Sequence, residues 1–333
     1  MKRFFVSELY PDAQYQAGTL REDIEMTLCG EGYVVLNLRG STGLSGKLRL
    51  YFSVIKLLLR IPSGSCCFFH FPLRSRAIRV FQAALKFKGV KRIGYIHDLD
   101  GIRDQSDKLR NRDVRQLGSF NMLIAQTEVM KGWVHSNTGH PQILVLGMYD
   151  YLSDTGPRVC TDKNEGIAFA GNLKKAPFVH YLGKTKGINW FIYGDGQAIV
   201  AGPNLHIMGT ADPRKLPGLI RGSFGLIWDG DETGTCSGHG AYLKYNIPHK
   251  AALYLRSGLP VLVWEHSAIA EWIKITNTGI ILQHIEQAEE IIHNISNETY
   301  KAMAANCRLI ANKMQEKYFL KKTIREWENI LGK

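Results

Sequence analysis

The sequence predicts an α/β fold made of two doubly wound domains, and three observations carry that expectation. Short apolar runs at 66–71, 92–96, 166–170, 224–228 and 261–264 alternate with helical stretches. That is the pattern of buried parallel strands joined by crossover helices. A length of 333 residues suits two α/β domains of about 150 residues each. The polar stretch 153–164, SDTGPRVCTDKN with Gly156-Pro157, reads as a linker, and a strand–loop–helix–strand order begins afresh after it.

In the first half, residues 3–9 read as a strand, followed by a loop with Pro11, Gly18 and Thr19, a helix at 20–29 and a strand at 33–38. The loop after the first strand of such a sheet faces the ligand crevice, which places Gly18-Thr19 where backbone can approach a substrate. Residues 47–61, KLRLYFSVIKLLLRI, form a basic amphipathic helix with Lys47, Arg49, Lys56 and Arg60. It reads first as a surface helix packed on the sheet, with docking on a membrane surface as a second reading. A strand at 66–71 and a helix at 74–87 lead to the strand 92–96, which delivers His97-Asp98 to its carboxyl end. Polar residues at that end line the crevice of open α/β sheets. His97, Asp98 or Asp100 could supply a general base, and Arg103 could complement a phosphate or orient a carboxylate. A helix, a strand at 122–125, a second helix and a strand at 143–146 complete this half.

In the second half, strands are expected at 166–170, 189–193, 205–209 and 224–228, with helices at 177–183 and 213–220. Lys174 and Lys175 follow the first of these strands and so point at its crevice. Asp229-Gly230-Asp231 reads as a loop, because no further ligand cluster accompanies it. The stretch 238–264, GHGAYLKYNIPHKAALYLRSGLPVLVW, organises the domain. A glycine-rich loop leads through Tyr245 and Asn246 to Pro248, which opens a helix because its missing N–H costs nothing in a first turn. The helix ends near Gly258, Pro260 stops it, and 261–264 is a buried strand. Helices at 268–275, 286–293 and a single long one at 297–331 follow, the last with Tyr318, Phe319 and Trp327 spaced to pack across both domains.

Lys250 stands in the first turn of the helix after Pro248. Free N–H groups and the macrodipole already present partial positive charge there, so a lysine is disfavoured by about 0.3–1 kcal/mol unless an anion occupies the same place. A helix N-terminus with a cation beside it suits phosphate. Lys174 and Lys175 converge on the same expectation from a second strand end.

Composition narrows the partners. The net charge of +12 and pI near 9.4 call for anionic ones. The excess lies mainly in residues 1–150, with 21 Lys+Arg against 13 Asp+Glu, whereas 151–333 carry 21 against 17. Nucleic acid is disfavoured, since no recognition motif or interleaved stacking aromatics accompany the charge. The six cysteines form no CxxC pair and no zinc spacing, so they read as buried thiols of a reducing compartment. The opening MKRFFVSELYPD is too short in apolar residues for a signal peptide, and no apolar run is long enough to span a bilayer. A cytoplasmic protein is expected, with the inner membrane face as the site of any docking. No GxGxxG follows the first strand, which sets aside a dinucleotide-dependent oxidoreductase.

Particular words then carry a resemblance: AGTLREDIE (17–25), IHDLDGIR (96–103), LGMYDYL (146–152), FAGNLKKAPF (169–178) and LIWDGDETGTCSGHGAYLKYNIPHKAALYLRSGLPVLVW (226–264). Spread over most of the chain, they resemble the bacterial GT-B glycosyltransferase family that includes the third-step glucosyltransferases of serine-rich-repeat adhesin glycosylation and the galactofuranosyltransferases of polysaccharide gene clusters. The resemblance implies two Rossmann-like domains facing a cleft: 1–155 for the acceptor, 156–316 for the nucleotide-sugar, and a helix at 317–333 crossing back to the first. It implies a UDP-sugar donor contacted by Asn246 and Lys250 of the NxPxK word, by Lys175 or Lys174 after the GNL word, and by Thr19, with Tyr245 on the donor side and Gly18 and Arg103 in support. It further implies no cofactor, no required metal and a homodimer or homotetramer. The chain departs from the pattern at Asp100, where glutamate is expected, and at Thr19-Leu20-Arg21, where relatives often carry a lysine.

The function so implied is transfer of a hexose, glucose or galactofuranose, to a glycan acceptor on a protein or a lipid-linked carrier, with inversion and with His97 or Asp98 as base. The alternative is a non-catalytic subunit of the same fold that binds a sugar nucleotide or a polyanion.

Overall fold

The computed structural model describes residues 1–9, 18–39, 43–185, 187–196 and 199–331. The chain divides into two units, residues 1–146 with 320–333, and residues 147–319.

The first unit is built on six parallel strands, β1 (Arg3–Leu9), β2 (Val34–Arg39), β3 (Cys66–Phe71), β4 (Lys91–Ile96), β5 (Met122–Ala125) and β6 (Ile143–Val145). Their order across the sheet is β2-β1-β3-β4-β5-β6. The strand order reverses between β1 and β3, so the carboxyl ends of those two strands flank the switch point. Phe5, Phe68, Phe69, Phe71, Phe81 and Tyr95 are fully buried around this sheet, which explains the near-continuous apolar reading of its strands. The helix Arg76–Phe87 starts where the Ser75 hydroxyl accepts from Ile78 N–H at 3.2 Å. The C-terminal helix supplies the rest of this core. Trp327 is fully buried, donates through Nε1 to the Tyr33 hydroxyl at 2.9 Å and lies 5.4 Å from the Phe68 ring. Tyr33 in turn donates to Glu328 at 3.1 Å, and Arg3 pairs with the same carboxylate at 3.1 Å.

The second unit carries β7 (Ile167–Ala170), β8 (Trp190–Tyr193), β9 (Leu205–Gly209), β10 (Phe224–Ile227), β11 (Val261–Trp264) and β12 (Gly279–Leu282). Their order is β12-β11-β10-β7-β8-β9, again all parallel, and the switch point falls between β7 and β10. The helix His249–Arg256 crosses from β10 to β11 and buries every residue from Ala251 to Arg256. Tyr254 on this helix accepts the Ala170 N–H through its hydroxyl at 2.7 Å and so pins the carboxyl end of β7. Its ring lies against Gly225, where an added Cβ would stand 2.2 Å from the ring. Gly225→Ala is therefore expected to cost about 3 kcal/mol or more by overpacking, measurable as a lowered midpoint in urea unfolding. An unchanged midpoint would show that the helix can back away from β10.

The structure differs from the sequence expectations at four places. The single helix 297–331 is two helices, Asn297–Gln315 and Tyr318–Leu331, broken where Lys317 takes a left-handed φ of 61°. The break falls where the chain leaves one unit for the other, so no single core directs both halves. The glycine-rich loop is partly ordered as a 3₁₀ helix, Gly238–Lys244, and β12 went unanticipated. The stretch 153–164 bonds into the second unit: Asp154 N–H donates to Arg214 O at 3.0 Å, Ser153 N–H to Gln315 at 3.1 Å, and Arg158 pairs with Glu165 at 2.7 Å. No described helix is long and apolar enough to cross a membrane.

Candidate active site

Lys250 marks the switch point of the second unit. Pro248, with φ −71° and ψ 140°, turns the chain into the helix His249–Arg256 and sets Lys250 in its first turn. The side chain runs over the Phe169 ring at the end of β7, with Nζ 4.5 Å from the ring centroid. Nζ donates to Trp228 O at 2.8 Å and to the Asp229 carboxylate at 2.7 Å, both in the loop that follows β10. The lysine side chain is only 9% exposed and the aspartate 30%. An ammonium has three donors, and these contacts use two. Beside it, a Cβ added at Gly171 would stand 3.8 Å from Nζ, so glycine leaves room at the amine. His249 brings no charge to this first turn: burial holds its imidazole down to about 4, with its ring 5.4 Å from that of Tyr149.

The neighbouring donor-side residues are placed as follows. The side chain of Asn246 leaves Oδ1 buried without a hydrogen-bond partner, an acceptor whose desolvation a ligand N–H or O–H would offset. Tyr245 stacks on Tyr242 with centroids 6.4 Å apart. Asn172 accepts from Lys174 N–H at 3.0 Å and so starts the 3₁₀ turn Leu173–Lys175. Lys174 and Lys175 are exposed, and the Lys174 chain lies along Gly196, not along Lys250. It is Gly171, at the start of that loop, that meets the Lys250 amine. The described helix Gly18–Gly30 begins at Gly18, with Thr19 half-buried in its first turn; residues 10–17 before it lie outside the described residues.

At the switch point of the first unit, β3 and β4 run in register with His70 opposite Tyr95 and Phe71 opposite Ile96, so His97 follows directly beside the end of β3. His97 N–H donates to Phe71 O at 3.0 Å, and His97 Nε2 shares a hydrogen bond with His70 Nδ1. The ring of His97 lies 4.8 Å from Tyr95 and 4.5 Å from His70. Burial, followed by the neighbouring His97 and Arg21, pushes the His70 imidazole well below its ordinary range and keeps it neutral. Its Nε2 is buried without a hydrogen-bond partner, as are Nε and Nη2 of Arg21, although that Nε forms an ion pair with Glu25 at 3.5 Å. Glu25 also accepts from Ser7 at 2.5 Å.

Asp98 and Arg103 form a different kind of group. Arg103 pairs with Asp98 at 2.8 Å, Asp100 at 2.9 Å and Asp104 at 2.8 Å. Asp100 is 2% exposed and is also met by Arg74 at 3.3 Å and Arg112 at 2.8 Å, which makes it a buried anchor rather than a base. Among the described residues, no three His, Cys, Asp or Glu side chains gather as a metal site would need. A cavity of about 540 Å³ does exist, bordered by Gly166, Gly187 and Glu289, but it lies at the amino-terminal ends of β7 and β8, away from these residues.

Sequence reasoning missed three members of these constellations. Asp229 was read as plain loop, although its position directly after a buried strand was the same signal that singled out His97. His70 sits inside an apolar run and so reads as core. Arg21 carries no local signal at all.

Known proteins resemble the chain along its length. The sequence model of the "Glucosyltransferase 3-like, N-terminal domain" matches residues 3–148, and that of the corresponding C-terminal domain matches residues 167–327. Beta-1,6-galactofuranosyltransferase WbbI of Escherichia coli (strain K12) is 32% identical over 297 residues, 84% of this chain and 85% of that protein. Glucosyltransferase 3 of Streptococcus gordonii is 25% identical over 249 residues, 74% of this chain and 73% of that protein. Among solved structures, Anabaena HepE in complex with UDP superposes with a TM-score of 0.67 at 12% identity, covering 100% of both chains. At such identity that likeness speaks for the fold, which is GT-B.

Proposed function

Since the chain belongs to the glucosyltransferase 3-like family of glycosyltransferases, we propose that it moves a hexose, glucose or galactofuranose, from a UDP-sugar to a glycan acceptor on a protein or a lipid-linked carrier. Two relatives are named for galactofuranose and glucose transfer, and the HepE neighbour holds UDP. The observation that carries the donor reading is Lys250, a largely buried cation at a helix start on the switch point of a parallel sheet.

On this reading the second unit holds the nucleotide and the first supplies the base. The acceptor oxygen forms a bond to the anomeric carbon, the bond from that carbon to the diphosphate oxygen breaks, and its electron pair leaves with UDP. Lys250 and the first-turn N–H groups of His249–Arg256 stabilise the charge that develops on the diphosphate. Lys174 and Lys175, on the loop after β7, add to that field, and Thr19 approaches the donor. Asn246 Oδ1 gains the partner it lacks, with Tyr245 beside it. The acceptor proton goes to His97. The hydrogen bond that its Nε2 shares with His70 Nδ1 orients the ring for that role. His97 is preferred to Asp98, whose carboxylate is already paired with Arg103. Inversion and independence of metal follow the family resemblance.

Thermal unfolding with UDP tests the donor reading. At a hundred times its Kd, UDP is expected to stabilise the protein by about 2.7 kcal/mol, with the same shift in EDTA. No shift, or a shift that EDTA removes, would count against it. Stabilisation without turnover of any UDP-sugar would favour the non-catalytic alternative.

A further inference from the structure

Among the described side chains of the helix Gly43–Arg60, one apolar face is covered and a second is not. Val54 is buried, whereas Phe52, Ile55 and Leu59 are 71%, 54% and 81% exposed. At about 100° per residue these three share a sector about 60° wide, and Arg49, Lys56 and Arg60 form a second sector about 90° further round. The helix contains no Asp or Glu. Its last turn is tied to the next helix, because Lys88 Nζ donates to Leu58 O at 2.6 Å and Ile61 O at 2.7 Å. At that corner Phe87 is 90% exposed, next to an exposed Lys86.

We propose that this face seats the first unit on an anionic lipid surface, with Phe52, Ile55, Leu59 and Phe87 entering the boundary between headgroups and acyl chains and Arg49, Lys56 and Arg60 pairing with lipid anions. An apolar sector edged by cations is what an in-plane interfacial helix requires. Long basic side chains can bury their stems there while the charged ends stay among the headgroups. The charge pattern selects lipid over a second copy of the chain. Antiparallel two-fold pairing through this face would bring the basic sectors of both helices to one rim, with no carboxylate on either helix to offset them. The excess of basic residues in 1–150 has the sign an anionic surface attracts. The proposal is independent of which sugar is moved and of which group serves as base.

Co-sedimentation of the full chain with phosphatidylcholine vesicles, with and without phosphatidylglycerol, tests it. Binding is expected only with phosphatidylglycerol and is expected to weaken as salt shortens the screening length. Each basic residue near such a surface is worth about 1 kcal/mol, or roughly 5-fold, so the triple variant R49Q/K56Q/R60Q should lower partitioning on the order of 100-fold. The double variant F52S/L59S should abolish binding, with circular dichroism and donor turnover in solution unchanged, since all these side chains face solvent. Phe52→Trp should blue-shift its emission on anionic vesicles. Wild-type protein that ignores the anionic vesicles overturns the proposal, as does binding that the variants leave intact. A dimer by light scattering that F52S/L59S turns into monomer, without vesicle binding, would assign the face to a second copy instead.

Discussion

Lys250→Met lowers turnover of a UDP-sugar by about 10²- to 10³-fold, the loss typical when one donor to developing charge is removed. Methionine keeps an unbranched stem on the Phe169 ring while deleting the ammonium, so the fold should hold. Both variants leave the Asp229 carboxylate without its 2.7 Å partner; Lys250→Ala should lose as much activity and more stability, because it deletes the packing of the stem as well. Steady-state kinetics alongside urea unfolding separate the two effects. A Lys250→Met enzyme with near wild-type kcat would remove the amine from the donor site.

His97→Gln has the second-largest expected effect, a fall in kcat of about 10²- to 10⁴-fold with the donor KM little changed, as for loss of a general base. Asp98→Asn should cost far less, since it loosens a pair with Arg103 rather than removing the base. If the two variants rank the other way, Asp98 is the base and His97 its support.

Most of the fold was legible because parallel strands declare themselves. β3 and β11, reading CCFFHF and VLVW, are apolar on both faces and bounded by Gly, Pro or Ser, which leaves few other assignments. β12 escaped because GIIL is short and carries no turn signal of its own; pairing with β11 makes it a strand. The break at Lys317 escaped because both flanks are amphipathic at the same period, and only the change of partner unit interrupts them. Lys250 could be read from its local chemistry, a cation set in a first turn by Pro248. Its partner Asp229 lies 21 residues away and meets it only when β10 and the helix pack together. His70 becomes visible only through the register of β3 with β4.

The role of Trp327 bears on how the chain matures. A wholly buried indole that fills the first unit is translated only after all of the second unit. Until that indole arrives, Tyr33 and Phe68 lack the ring they pack against, so the core of the first unit is completed only after the second unit has been made.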